Sequence, residues 1–163
     1  MTITPDNAAP ITGRMWAGLV AAALGIFLTA LDVTVNVALP NITEDLNTDL
    51  ETVQWIIIFY VGGTTGMQLG LGGAVDMYGL KRFFVVGLLA YMLAVFLIGV
   101  APGFGYVLGL RVFQAVGNGL ILAAAPAIVT GLFPARSRGR ALGMMAGLGT
   151  LGMITGSLGG GVL

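Results

Sequence analysis

Between residues 106 and 130 the chain runs for a full helix length with no acid and a single base, Arg111. A charge at the centre of a bilayer costs about 2.5–3.5 kcal/mol on insertion scales, so it persists where it is paired or lines a wet cavity. Gln114 and Asn118 follow Arg111 at i+3 and i+7. At about 100° per residue the three side chains fall within one narrow stripe. A polar seam on an apolar helix requires something polar opposite it.

The chain as a whole is built for lipid. Of its 163 residues 57% are hydrophobic and 9% charged, with a mean hydropathy of +0.98. A soluble domain carries roughly 25% charged residues, so this composition indicates a membrane protein with the bilayer as its first partner. Seven bases balance seven acids, which argues against nucleic acid as a partner. Cysteine and histidine are both absent. That excludes disulfide frameworks, cysteine nucleophiles and the usual zinc sites, and no metal site is expected. Nor does any serine, aspartate or arginine show a nucleophile–base–orienter spacing, so no enzyme is expected.

In order, residues 1–14 form a polar, proline-containing N-terminal segment. An apolar run over 15–39 is interrupted once, by Asp32; it is too long for the core of a signal peptide. Four acids and no base fill residues 41–51. Thr48 and Glu51 there form a capping box that starts a second helix near Asp49. This helix extends over about 50–73 and carries Gly62, Gly66 and Gly70 on one face, suited to a close helix contact. A short loop at 74–82 leads to a third span, about 83–101. A Pro102-Gly-Phe-Gly turn precedes a fourth span, about 106–130, and a basic loop at 132–140 precedes a glycine-rich fifth, about 141–163. The expected fold is an all-α integral membrane protein with five transmembrane helices in one bundle over 15–163.

Charge placement tests the span count. The bases are Arg14, Lys81, Arg82, Arg111, Arg136, Arg138 and Arg140. Apart from Arg111, all lie in the N-terminal segment, the second-to-third connection or the fourth-to-fifth connection. Five spans put those three segments on one side, which the positive-inside rule makes the cytoplasm, and the acidic 41–51 loop outside.

Asp32 is the acid opposite the base. Thr29 and Asn36, at i−3 and i+4, share its stripe. At about 1.5 Å per residue Asp32 lies about 12 Å from the outer end of its span and Arg111 about 7.5 Å from that of its own. The two charges are thus expected at similar depth, each the other's partner. A static ion pair locking two helices accounts for the charges alone. The amides and hydroxyls beside them point instead to a wet, ligand-accessible cavity. In that reading Asp32 gains and loses a proton while Arg111 tunes it and contacts substrate, with Asn36, Gln114 and Asn118 alongside.

Several stretches resemble one family. Leu31-Asp32-Val-Thr-Val-Asn36-Val-Ala-Leu-Pro40 is similar to a first-helix signature, one residue short between the acid and Asn36. Gln54-Trp55 and Tyr60 match the start of a second helix. Gly72-Gly-Ala-Val-Asp76-Met-Tyr-Gly79-Leu-Lys81-Arg82 resembles a loop motif between helices two and three. Arg111-Val-Phe-Gln114-Ala-Val-Gly117 resembles a fourth-helix motif. Gly152-Met-Ile-Thr-Gly156-Ser157-Leu-Gly-Gly160-Gly161 resembles a fifth-helix antiporter motif. Together, in this order, they resemble the N-terminal part of a major facilitator superfamily transporter, closest to the fourteen-helix drug–proton antiporter branch.

The resemblance implies a partial N-terminal six-helix half of that fold in a bacterial plasma membrane, with a cytoplasmic N-terminus. It implies proton-coupled efflux of small molecules, driven by a proton gradient with no cofactor. Asp76, with Gly72, Gly79, Lys81 and Arg82, would hold the cytoplasmic side closed against a second half, as partner or continuation. Some positions depart from the pattern. Met77 and Leu80 stand where basic residues are usual, Ala115 replaces the glycine after Gln114, and Ser157 replaces a proline. The last puts antiport, as opposed to another coupling mode, in question. Five helices cannot rock against a missing half, so a fragment, one part of a split transporter and a non-transporting membrane module are the alternatives.

Overall fold

A computed structural model describes residues 12–32 and 50–160, with the backbone alone at 50–53, 56, 71–78 and 160. Among the described residues five helices follow in order: α1 Gly13–Ala30, α2 Leu50–Tyr78, α3 Leu80–Ile98, α4 Phe104–Leu132 and α5 Ala135–Gly160. No strand occurs among the described residues. By length and composition α1, α3, α4 and α5 can each cross a membrane, given a rise of about 1.5 Å per residue and a hydrocarbon core of about 30 Å. The all-α membrane fold read from the sequence is the one observed.

α4 is the axis of the bundle. It packs against α3, α2 and α1, while α5 lies on α1. Over its most apolar stretch 56% of α4 is buried, against 22–28% for α1, α3 and α5. Lipid offers no hydrophobic drive between helices, so association rests on close packing of small residues. A Cβ on Gly117 would lie 2.7 Å from the Tyr91 backbone nitrogen and 2.9 Å from the Gly87 carbonyl. One on Gly87 would lie 2.9 Å from the Gly117 carbonyl. α3 and α4 therefore meet backbone to backbone.

The expected glycine face of α2 is not where α2 packs. Gly62, Gly66 and Gly70 have nothing within 4 Å of a notional Cβ, whereas Gly63 meets the Ala115 Cβ at 3.0 Å. An i+4 repeat marks which residues are small, but not the direction of the neighbouring helix. The contact also accounts for Ala115, which is fully buried: α2 supplies the missing glycine that α4 lacks.

Helix boundaries also differ. α2 continues to Tyr78 and α3 begins at Leu80, so the expected loop over 74–82 shrinks to Gly79. That residue adopts φ +98°, a region closed to most side chains, and this is why a glycine stands there. Likewise only Phe133 and Pro134 separate α4 from α5. Arg136, Arg138 and Arg140 sit on the opening turns of α5 and not in a loop; the Pro134 carbonyl accepts the Ser137 and Arg138 N–H groups at 2.9 and 3.2 Å. An apolar run measures contact with lipid, and helical hydrogen bonding carries on past it. Arg14 and Lys81 line one cavity together with Leu132, at the end of α4. The bases other than Arg111 thus gather at one end of the bundle.

α1 is helical to Ala30, and Leu31 and Asp32 form a turn. The expected continuation of the first span to residue 39, the acidic segment 41–49 and Thr48 lie outside the described residues.

Candidate functional site

Arg111 stands two turns into α4 and Asp32 just past the end of α1, and the two meet. Arg111 Nη1 donates to Asp32 Oδ1 at 2.9 Å and Oδ2 at 3.1 Å, and to Gln114 Oε1 at 2.8 Å. Gln114 Nε2 donates to both Asp32 oxygens at 3.4 Å. The side chains are 5% and 11% exposed. Charges this deep need opposite charge and further hydrogen bonds to offset desolvation, and Gln114 supplies the latter by bridging acid and base. Seen from the sequence, the i+3 spacing of Arg111 and Gln114 is what makes this possible.

One turn deeper, Asn118 Nδ2 donates to Tyr60 Oη at 2.8 Å and Thr64 Oγ1 at 3.5 Å on α2. The Arg111 guanidinium carbon lies 5.5 Å from the centroid of the Tyr60 ring, within cation–π range. Tyr60 was visible beforehand only as a motif position, and Thr64 not at all. Their i, i+4 spacing on α2 was the signal available. From α3, the buried Tyr91 donates its hydroxyl to the Leu28 carbonyl at 3.2 Å; nothing in the local pattern singled it out.

Asp32, Arg111, Tyr60 and Asn118 line a cavity of about 460 Å³ between α1, α2, α4 and α5. Its other walls include Ile26, Leu122 and Met153, so it is apolar with a polar cluster on one side, the usual make-up of a small-molecule site. Pro126 lies within α4 and lacks the N–H that would bond the Leu122 carbonyl. Among the described residues Arg111 Nε and Asn118 Oδ1 have no hydrogen-bond partner.

The other residues singled out are scattered. Asn36 and Gly161 lie outside the described residues. Gly72 and Asp76 fall near the C-terminal end of α2, where side chains are not described, and Gly160 ends α5 in the same way. Gly79, with Lys81 and Arg82 exposed on the first turn of α3, lies at the basic end, remote in sequence from the cluster. Gly152 meets α1 closely: a Cβ there would be 2.6 Å from the Phe27 carbonyl and 3.0 Å from the Ala30 Cβ. Gly156 is buried and Ser157 exposed. The Ser157 hydroxyl donates back to the Met153 carbonyl at 2.9 Å, and α5 stays helical through the place where a proline is usual. Among the described residues no cluster could hold a metal ion.

Chemically, the cluster holds one acid and one base with amide and hydroxyl groups around them, beside space for a ligand. A proton placed on Asp32 would cancel its charge and leave Arg111 without a counter-ion.

Comparison with known proteins agrees with this architecture. The chain is 36% identical over 152 residues to the puromycin resistance protein of Streptomyces alboniger, covering 92% of this chain and 30% of that one. It is 28% identical over 151 residues to a riboflavin transporter of Clostridioides difficile, covering 92% and 33%. To the tetracenomycin C resistance and export protein of Streptomyces glaucescens it is 29% identical over 157 residues, covering 96% and 29%. The chain thus spans about a third or less of the length of these relatives. The family model described as Major Facilitator Superfamily matches residues 22–163, and the chain belongs to that superfamily.

Proposed function

We propose that this chain forms the N-terminal part of a proton-coupled transporter that exports small amphipathic compounds, and that it acts as a transporter and not as an enzyme. The observation that carries the reading is the buried Asp32–Arg111–Gln114 cluster on the wall of the central cavity. A pair serving only to lock two helices needs neither the cavity nor the Tyr60–Asn118 arm. The relatives named for resistance to, or export of, puromycin and tetracenomycin C support efflux of drug-like molecules.

On this reading Asp32 carries the proton, Arg111 governs its release and touches substrate, and Gln114 and Asn118 orient both. Asp76, Gly79, Lys81 and Arg82 act at the cytoplasmic gate, and Gly152 and Gly156 serve the packing of α5 on α1. The plasma membrane is the site of action, with the basic end and the N-terminus in the cytoplasm. Alternating access needs the remaining helices of the fold, from a longer chain or from a partner. In a transporter containing this segment, Asp32→Asn should abolish proton-driven accumulation while substrate exchange continues. Wild-type accumulation in that variant refutes the assignment.

A further inference from the structure

At the end of α1 opposite Asp32 a second slot opens. α1 and α3 both pack on α4 but scarcely on one another, and a cavity of about 330 Å³ remains between them. Leu132, the last residue of α4, lies against α1 there: a Cβ on Gly18 would collide with its side chain. Phe84 of α3 reaches α1 further along, its ring 2.7 Å from a notional Cβ on Gly25. Ala21 is among the apolar walls and is exposed. A water held against such walls would need about two to four polar partners, which they do not offer.

Arg14 and Lys81 line the same cavity. Each is the second residue of its helix, and both are exposed. Among the described residues the one ion pair is Asp32–Arg111, so neither base has a carboxylate partner there. The positive-inside rule accounts for bases on one side of a membrane, but not for two of them on different helices beside one slot.

We propose that this slot is a binding site for an anionic phospholipid, with an acyl chain along Gly18, Ala21 and Phe84 and the phosphate held by Arg14 and Lys81. A guanidinium fork takes two phosphate oxygens, and an ammonium adds a point charge. The long stems of both bases lie along apolar surface while their charged heads reach the headgroup layer. From Arg14 to Ala21 is about 10 Å along α1 at about 1.5 Å per residue, so one lipid spans the basic and the apolar parts together. The site is separate from the central cavity and does not depend on what that cavity carries.

The test is native mass spectrometry of the full chain, released from micelles containing phosphatidylglycerol and phosphatidylcholine with the same acyl chains. The chain should retain phosphatidylglycerol in preference. A base near a membrane surface is worth about a fivefold preference for anionic lipid, so Arg14→Gln and Lys81→Gln should each lower the preference about fivefold. Arg136→Gln/Arg140→Gln removes two charges from exposed positions at the same end of the bundle and should leave it unchanged. Ala21→Phe fills the slot without touching either base and should lower retention of phosphatidylglycerol. Retention that does not discriminate between the two lipids overturns the proposal without recourse to any variant. So does an equal loss from the Arg136 and Arg140 substitutions, which would show a general attraction to the basic end. Undiminished retention in Ala21→Phe places the acyl chain outside the slot and overturns it too. Displacement of the lipid by inorganic phosphate would make this a free-phosphate site and refute the lipid assignment.

Discussion

Arg111 binds its neighbours through a single nitrogen, which donates to both Asp32 oxygens and to Gln114. Removing either charge strands the other in a buried position, which costs about 3–5 kcal/mol. Removing both costs less, because no uncompensated charge remains. Thermal unfolding in detergent should therefore rank the chain above Asp32→Asn/Arg111→Met, and that double variant above Arg111→Met alone. A strictly additive double variant would show that the two charges do not depend on one another. The pair itself was legible in the sequence, since one acid and one base stood in otherwise uncharged spans. Tyr60, Thr64 and Tyr91 were not, because hydroxyl-bearing residues are common on membrane helices and only the crossing of α2, α3 and α4 shows which ones meet the cluster.

Among elements, glycines separate into those at crossings and those facing open space. Gly117→Ala forces a methyl against the Tyr91 and Gly87 backbones, where nothing flexible can yield. Overpacking of this kind costs about 1–3 kcal/mol, and a lowered thermal midpoint should reveal it. Gly62→Ala meets nothing within 4 Å and should leave the midpoint unchanged or slightly raised, since alanine favours helix over glycine by about 1 kcal/mol. Gly152→Ala presses on the Phe27 backbone and Ala30 near the end of α1, so it should lower the thermal midpoint as Gly117→Ala does and impair transport as well. Comparing transport rate with thermal midpoint separates the two effects. Helix order could be read from hydropathy and charge, whereas helix ends could not: α2 runs on through Asp76 to Tyr78, and the basic stretch 135–140 is helical without being apolar. Small-residue spacing likewise exposed a packing-competent face on α2 but not the face that is used.

At the scale of the molecule, α4 is wrapped by α1, α2 and α3, while α5 extends the bundle over α1. The cavity between α1, α2, α4 and α5 then offers one polar wall to a ligand. Purified alone in proteoliposomes, the 163-residue chain should catalyse no proton-driven uptake, because alternating access needs an opposing half. Uptake at a rate above that of protein-free vesicles would show that these helices suffice. The proposed proton binding at Asp32 needs no opposing half, however, and can be tested on the chain itself. An infrared difference spectrum between alkaline and acidic medium, taken on the chain in a bilayer, should contain a protonated-carboxyl band from a buried acid, and Asp32→Asn should remove it. A band that survives this substitution, or a spectrum with no such band, would contradict the assignment of the proton to Asp32.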